Sequence, residues 1–290
     1  MTQAMNTLNL SLTLTLTLTI AQALAAARTL GVDRLDAQLC LLNSLRKPDT
    51  DRAWLLAHDG DVLPALTADT FRGYCLRRAA GEPLAYIVGY KEFFGLRFAV
   101  DARVLVPRPD TETLVQWGLD VLQTTNQDCP AVLDLGTGSG AVAIAIAHHE
   151  RTSMLATDAS TDALAVAQSN ATQLGCDVQF AHSHWFDSVT GRFEVIVSNP
   201  PYVASNDPHL AALHHEPLSA LTAGPDGLND IRRIIDQAPN HLAAGGWLLL
   251  EHGYNQAPAV CALLRERGFT NVQSRRDLAG IARCSGGVWV

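Results

Sequence analysis

The tetrapeptide Asn199-Pro200-Pro201-Tyr202 has the residue types of a site that holds a planar nitrogen. It follows an apolar run, residues 193–198, that predicts a buried strand. Each proline fixes its own φ and lacks a backbone donor, so the nearby carbonyls are not consumed by a helix. The side-chain oxygen of Asn199 and the backbone carbonyl of Pro200 can therefore accept two hydrogen bonds from one NH2 group.

A nitrogen held in this way would be a weakly nucleophilic amide or amine, and Tyr202 can cover the face of its planar group. The tetrapeptide offers no ionisable base, so positioning and electrostatics would carry the rate of a transfer to that nitrogen. An ordinary Asn-Pro turn is the alternative when the tetrapeptide is taken alone. We predict catalytic roles for Asn199, Pro200 and Tyr202, and substrate contacts from all four residues, Pro201 included.

A glycine-rich segment, residues 134–140, follows another apolar strand and opens a helix. A phosphate-binding P-loop would need Gly-Lys-Ser/Thr after its spacer, and that is absent. A dinucleotide fold would use the spacing GxGxxG, whereas the glycines here are evenly spaced and Asp134 precedes them. The loop therefore favours a cofactor that has no phosphate groups over a dinucleotide that carries a pyrophosphate.

Two carboxylates help to choose the cofactor. Asp134 suits the sulfonium and ammonium groups of S-adenosylmethionine and would repel a pyrophosphate. Asp158, about twenty residues beyond the glycines, can accept both ribose hydroxyls, a role shared with NAD sites. The loop favours S-adenosylmethionine, with S-adenosylhomocysteine as product, and NAD stays the alternative. The predicted cofactor contacts are Asp134, Gly136, Thr137, Gly138, Ser139, Gly140, Asp158, Trp185, Phe186 and Asn199.

The elements that must position these residues are strands alternating with helices from Ala131 onward. Strands that are apolar throughout predict a parallel sheet covered on both faces. Ligands of such sheets bind beyond the carboxyl ends of the strands, where these residues fall. Strands are predicted at 132–135, 154–157, 178–181, 193–198 and 247–251 and near Val272 and Val288, and helices at 141–148, 162–174, 231–242 and 260–267.

The first eighty or so residues have helical periodicity, with Thr67 as a predicted cap of the third long helix. Short runs at 86–88, 92–94 and 96–100 predict extended structure, and Gly95 predicts a hairpin. Asp110 is a predicted cap of a helix from Thr111 to Leu122. We therefore expect a disordered extension at 1–19, a helical substrate-docking domain at 20–84, a β-hairpin linker at 85–107 and a catalytic α/β domain at 108–290.

Composition limits the partners. The net charge is -8 and the pI about 5.6, which argues against long nucleic-acid contacts. Six scattered cysteines form no CxxC pair and predict reduced thiols in the cytoplasm. The Leu/Thr-rich start lacks the features of a signal peptide or membrane span. Adjacent histidines, at 148–149 and 214–215, point to different faces, so we expect no metal.

Taken together, these motifs resemble the release-factor glutamine methyltransferases, the HemK/PrmC family. The resemblance covers nearly the whole chain past the Leu/Thr run, with matching segments at 108–112, 133–140, 199–202, 207–210, 216–221 and 248–253. It implies a seven-stranded Rossmann-like methyltransferase sheet behind a small helical bundle and a hairpin. It also implies N5 methylation of the glutamine in the Gly-Gly-Gln loop of release factors. His184 stands where the family often has an acid that receives the adenine amino group.

Two other functions compete with this one. An adenine-N6 methyltransferase of DNA or RNA would use the same nitrogen chemistry, but it needs to extract a base and usually has a basic surface. A non-catalytic binding module would not need the intact glycines, Asp158 and the tetrapeptide. We therefore expect an enzyme whose partners are release factors, with no nucleic acid and no membrane, acting as a monomer.

Overall fold

The computed structural model describes residues 18–125 and 127–290. The predicted extension at 1–19 lies outside the described residues except for its last two positions. The chain divides into two units, one ending at Val88 and the other starting at Gly89. No helix within the described ranges combines the length and apolar character needed to cross a membrane.

Between residues 18 and 88 the first unit has five helices: α1 (Ile20–Thr29), α2 (Arg34–Ser44), α3 (Arg52–Ala57), α4 (Ala65–Ala79) and α5 (Leu84–Val88). Thr19 and Gln22 form a capping box at the start of α1, which fixes where that helix begins. The bundle encloses an apolar core that includes Leu41, Leu42 and Phe71. Along α2 the buried positions 37 and 41, and 38 and 42, lie one helical turn apart, so burial of one face holds this helix in place.

Two predictions for this unit are wrong. Thr67 does not cap α4, because the helix begins two residues earlier, after Pro64. Residues 86–88 are helical rather than extended. The Tyr86 backbone N–H donates to the Pro83 carbonyl over 3.0 Å, and Gly89, at φ 86°, ends the helix.

The second unit opens with the predicted hairpin, β1 (Tyr90–Phe93) paired antiparallel with β2 (Leu96–Ala99). Phe94 and Gly95 form its turn at φ 51° and 77°, as a two-residue hairpin turn requires. A 3₁₀ turn at Pro109–Thr111 then leads into α6 (Glu112–Leu122). The hairpin groups with the second unit, while the predicted boundaries at 84/85 and 107/108 stay predictions.

Seven strands form the main sheet in the order β5-β4-β3-β6-β7-β9-β8. They are β3 (Ala131–Leu135), β4 (Ser153–Asp158), β5 (Gln179–His182), β6 (Phe193–Ser198), β7 (Leu242–Glu251), β8 (Thr270–Arg276) and β9 (Ala282–Val288). The seven-stranded fold class is confirmed, but the sheet is not parallel throughout. β9 runs antiparallel to both β7 and β8, because only a short turn joins β8 to β9.

Helices cover both faces of this sheet: α6, α7 (Ala141–His149), α8 (Thr161–Leu174), α9 (Asn229–Gln237) and α10 (Ala257–Arg267). Leu133 and Leu135 pack with the buried isoleucines of α9, whereas Val197 lies on the other face beside α6 and α7. Alternate residues of the central strands are thus buried on opposite sides. β3 pairs with β4 on one side and β6 on the other, and a crevice opens where strand order reverses.

Candidate active site

A cavity of about 390 Å³ lies at the carboxyl ends of the central strands. Nine of the predicted site residues line it: Asp134, Gly136, Thr137, Gly138, Ser139, Asp158, Trp185, Asn199 and Pro201. The pairing of Leu135 with Ser198 brings the glycine-rich loop and the tetrapeptide side by side. The Ser198 hydroxyl also donates to the Leu135 carbonyl over 2.7 Å. Four predicted residues, Gly140, Phe186, Pro200 and Tyr202, are not part of the lining.

Asp134 is the buried anchor of the loop. Its Oδ2 accepts a 2.7 Å hydrogen bond from the Thr137 hydroxyl, and only 1% of the residue is exposed. Burial raises the pKa of Asp134 to about 7, although hydrogen bonds from Thr137 and the Ala143 backbone act in the opposite direction. The Thr137 N–H donates to the Thr157 carbonyl of β4 over 2.9 Å. Asp134 and Thr157 therefore both hold Thr137 in place, which fixes the conformation of the loop.

Asp158 ends β4 and uses both carboxylate oxygens. Oδ2 accepts from the Gly138 N–H and Oδ1 from the Ser160 N–H, each over 2.8 Å. Burial raises its pKa, while these backbone donors lower it. Each carboxylate oxygen has a second lone pair, so Asp158 can still accept hydroxyl groups of a ligand.

The three loop glycines serve different ends. A Cβ at Gly138 would stand in open space, whereas one at Gly136 would lie 3.4 Å from the ring of Trp185. Gly140 caps α7 with φ 82°, and a Cβ there would lie 2.7 Å from Ile144 Cδ1. Gly138 thus leaves room for a ligand, and Gly140 allows the helix to begin.

Trp185 has a left-handed backbone, with φ 54°. The Ser183 hydroxyl stabilises this turn by donating to the Trp185 carbonyl and accepting from the Ser188 N–H. The indole N–H donates to Asp230 Oδ1 over 3.2 Å, and Asp230 itself lines the cavity. His184 also lines the cavity.

Phe186 lies elsewhere. It stacks on His241 with ring centroids 4.6 Å apart and belongs to the hydrophobic core beneath the sheet. This position does not support the predicted contact between Phe186 and a cofactor.

The tetrapeptide is fixed at both ends. Asn199 Nδ2 donates to the Thr111 hydroxyl over 3.2 Å, and the Tyr202 hydroxyl donates to Glu251 Oε1 over 3.3 Å. The Tyr202 carbonyl accepts from Gln256 Nε2 over 3.0 Å. Burial raises the pKa of Tyr202 well above its ordinary value, so this hydroxyl stays protonated.

The segment 108–112 contacts a different part of the second unit at almost every position. Arg108 pairs with the buried Glu216, whose other oxygen accepts from the Val106 N–H over 3.0 Å. Asp110 pairs with Arg283 of β9 over 3.0 Å instead of capping α6, so that predicted cap is wrong.

Glu112 completes the segment by accepting from the Phe94 N–H of the hairpin turn over 3.0 Å. Pro217, the neighbour of Glu216, also lines the cavity. The segment thereby ties the hairpin, the loop at 216–220 and β9 to the cavity.

Sequence reasoning missed several residues of this site: Arg103, Arg108, Thr111, Asp230 and Glu251. Arg108 and Thr111 lay in a segment singled out by its resemblance, which was the available signal. Glu251 also lay in a segment singled out in this way, 248–253, whereas Asp230 carried no signal, because it meets Trp185 only after the chain folds.

The cavity favours a compact ligand that carries positive charge and hydroxyl groups. The carboxyl groups of Asp134 and Asp158 supply hydrogen-bond acceptors, and a cation bound beside them would favour their ionised forms against the burial that raises both pKa values. The arginines of the lining already have partners: Arg103 pairs with Asp101 and Arg108 with Glu216. Among the described residues, no group of three or more His, Cys, Asp or Glu is placed to hold a metal ion.

Two family models match the chain. The PrmC N-terminal domain matches residues 17–89, and the methyltransferase small domain matches residues 116–220. These matches fall in the helical unit and in the sheet that carries the cavity.

Curated relatives match nearly the whole length. A release factor glutamine methyltransferase of Bordetella pertussis is 47% identical over 262 residues, 89% of this chain and 95% of the relative. The proteins of the same name from Coxiella burnetii and Pseudomonas aeruginosa are 45% and 44% identical, over 86% and 88% of this chain and 90% and 92% of the relatives.

Solved structures share the fold. A methyltransferase from Pyrococcus furiosus has a TM-score of 0.52 at 20% identity, over 75% of this chain and 96% of that one. The 16S rRNA N2 G1207 methyltransferase of T. thermophilus, solved with AdoMet and guanosine, has a TM-score of 0.51 at 18% identity, over 69% of this chain and 50% of that one. At these identities the likeness concerns the fold alone.

Proposed function

This chain belongs to the release factor glutamine methyltransferase family, and we propose that it methylates the glutamine of the Gly-Gly-Gln loop of peptide chain release factors. The methyl group would pass from the sulfonium of S-adenosylmethionine to the side-chain N5, which leaves S-adenosylhomocysteine, and one N5 proton would be released to water. The observation that carries this proposal is the adjacency of the glycine-rich loop and the Asn-Pro-Pro-Tyr tetrapeptide at one crevice, in a chain up to 47% identical to enzymes of that name.

The residues of the cavity fit this cofactor. Asp134 and Asp158 complement a ligand that carries an ammonium and a sulfonium, and Asp158 has lone pairs left for ribose hydroxyls. Gly138 leaves open space, and the Trp185 ring beside Gly136 gives an apolar wall. When bound, S-adenosylmethionine supplies an activated methyl group.

The chain's own contribution to the reaction is to bind and orient. Asn199 lies on the cavity wall, and its amide oxygen would accept a hydrogen bond from the NH2 group of the substrate amide. The carbonyl of its neighbour Pro200, a residue outside the lining, would accept the second hydrogen bond. Fixed acceptors of this kind favour the developing positive charge on the nitrogen and need no reorganisation during transfer. Pro201 would border the same space.

A labelling experiment tests the proposal. Purified protein with methyl-labelled S-adenosylmethionine should label a release factor, but not the same factor with the loop glutamine replaced by alanine. Equal labelling of both would contradict the glutamine assignment, and labelling of duplex DNA instead would favour adenine-N6 methylation. The same proposal includes a cytoplasmic monomer that needs no metal, so chelator should leave the labelling unchanged.

A further inference from the structure

Two side chains outside the predicted site meet both ends of the tetrapeptide. The Thr111 hydroxyl accepts from Asn199 Nδ2 over 3.2 Å, and a hydrogen bond from Thr111 lowers the pKa of the Glu251 carboxyl group against the effect of burial. The Tyr202 hydroxyl donates to Glu251 Oε1 over 3.3 Å. The first and last residues of the tetrapeptide therefore connect to one carboxylate.

Glu251 is buried in a way that lowers the stability of the fold. It ends β7 with 1% of its surface exposed, and its Oε2 is buried without a hydrogen-bond partner in the described structure. Arg283, the nearby cation, is engaged by Asp110 and Asp277, each over 3.0 Å. A buried carboxylate left in this state lowers stability, which marks it as a candidate for a functional role.

The direction of the hydrogen bonds follows from the chemistry of the groups. A hydrogen bond that lowers the pKa of a carboxyl group is donated to its ionised form, so the Thr111 hydroxyl donates to Glu251 when that group is ionised, above its pKa of about 7. The lone pairs of that hydroxyl then face Asn199, and only the Nδ2 end of the amide can donate to them. The Asn199 amide is thereby held in one of its two flipped orientations, with Oδ1 left for the cavity.

We propose that Thr111 and Glu251 are positioning residues that fix the orientation of the Asn199 amide and so aim its oxygen at the substrate nitrogen. This inference rests on the proposed function. Without the pair, the Asn199 amide could rotate and present its NH2 group to the NH2 group of the substrate. Two donors would then face each other, and the clamp would lose one of its acceptors.

The first test uses Thr111→Val, which keeps the side chain's shape but removes the hydroxyl. Turnover of a release factor at saturating cofactor should fall by about 10- to 100-fold, the range for losing one hydrogen bond made to the reacting group. The dissociation constant of S-adenosylhomocysteine, measured by calorimetry, should change by less than about threefold. Thr111→Ser should restore most of the rate, and Thr124→Val, at an exposed threonine just beyond α6, should leave turnover normal.

The second test uses Glu251→Gln, because glutamine can donate as well as accept and so no longer enforces one direction. Turnover should fall while Tm stays level or rises, since the substitution removes a buried charge. A structural role for Glu251 would instead lower Tm and turnover together. In Thr111→Val/Glu251→Gln, turnover should fall little below the slower single variant, because both changes break the same chain of hydrogen bonds.

Normal turnover in Thr111→Val, or a loss that Thr111→Ser does not recover, would overturn the inference. So would equal losses of turnover and cofactor affinity. Wild-type protein is the reference in each assay: if it fails to label the release factor, the proposed function fails and takes this inference with it. If wild type labels and Thr111→Val labels equally fast, the inference alone fails.

Discussion

The Gly138 backbone N–H donates to the Oδ2 of Asp158 over 2.8 Å, so the glycine-rich loop is tied to the end of the neighbouring strand. The same carboxylate accepts from the Ser160 N–H at the start of α8. One side chain thus sets the distance between two walls of the cavity. Any ligand that uses Asp158 binds to a loop that the same residue has already shaped.

Asp158→Asn should weaken the cofactor far more than it slows the transfer. The amide keeps one acceptor, but its NH2 group would face either the Gly138 or the Ser160 N–H. We expect the KM for S-adenosylmethionine to rise by about 10- to 100-fold, as for loss of a charge-assisted hydrogen bond, with kcat nearly unchanged. Initial rates at varied cofactor check this. Asp128→Asn, at an exposed position, is the matched control, and an unchanged KM in Asp158→Asn would contradict the role.

Substitutions of two loop glycines should affect folding stability and cofactor binding to different degrees. Gly138→Ala and Gly140→Ala both place a Cβ on a left-handed backbone, at a cost of about 1 kcal/mol. Only at Gly140 does the Cβ also meet Ile144 and Ala167, at 2.7 and 3.2 Å. Urea unfolding should therefore show the larger loss for Gly140→Ala, by about 1–3 kcal/mol more.

Cofactor affinity should follow the opposite order. A Cβ at Gly138 would occupy open space at the cavity wall, so it would reduce the room that a bound ligand has there. Calorimetry with S-adenosylhomocysteine should show the weaker binding in Gly138→Ala. Equal effects of the two substitutions on both quantities would contradict this division.

The sequence predicted what depends on local pattern and missed what depends on pairing. The strand at 193–198 was predicted at its observed bounds, because a largely apolar run of six residues, five of them buried, is followed by Asn199 and two prolines that end it. The strand near Val288 was predicted, but its antiparallel direction was missed, since strand direction depends on the partner and not on periodicity. Thr111 and Asn199 are 88 positions apart, and no spacing rule reaches that far.

Asn170 of α8 should contribute strongly to the stability of the fold around the cavity. It is buried, and it accepts from the Ala99 N–H over 2.8 Å and donates to the carbonyls of Ala99 and Ser139 over 3.0 and 2.9 Å. Asn170→Ala removes the partner of one buried and two partly buried backbone groups, so the free energy of unfolding should fall by about 2–4 kcal/mol. Urea titration measures this, and Asn240→Ala, at an exposed position, should change it by less than about 0.5 kcal/mol. A loss as small as that of the control would show that water replaces these bonds.

Asn199→Ala should separate binding from transfer. The substitution removes the side-chain acceptor from the cavity wall but leaves Asp134, Asp158 and the glycines in place. We expect turnover to fall by at least about 100-fold, the usual scale for removing one fixed transition-state contact. Binding of S-adenosylhomocysteine should be retained. Near-normal labelling of a release factor by this variant would refute the nitrogen clamp.

The pH dependence of stability should reveal the buried carboxyl of Glu251. Burial raises its pKa from an ordinary 4.5 to about 7, so the folded chain holds this proton more tightly than the unfolded chain does. Stability from this group is present below the unfolded pKa and is lost as pH rises through the folded one. Asp134, whose pKa burial also raises to about 7, acts in the same direction.

The wild-type urea midpoint should therefore fall between about pH 5 and pH 8. In Glu251→Gln the fall should be smaller, because Asp134 and Asp158, whose pKa values burial also raises, still contribute but Glu251 does not. Glu266→Gln, at an exposed position, should follow wild type. Carboxyls with lowered pKa values, such as Asp226 at about 2, titrate below this window and do not disturb the comparison. Parallel curves for wild type and Glu251→Gln would mean that Glu251 ionises as it does in water. Its buried position beside Thr111 and Tyr202 would then have no energetic consequence.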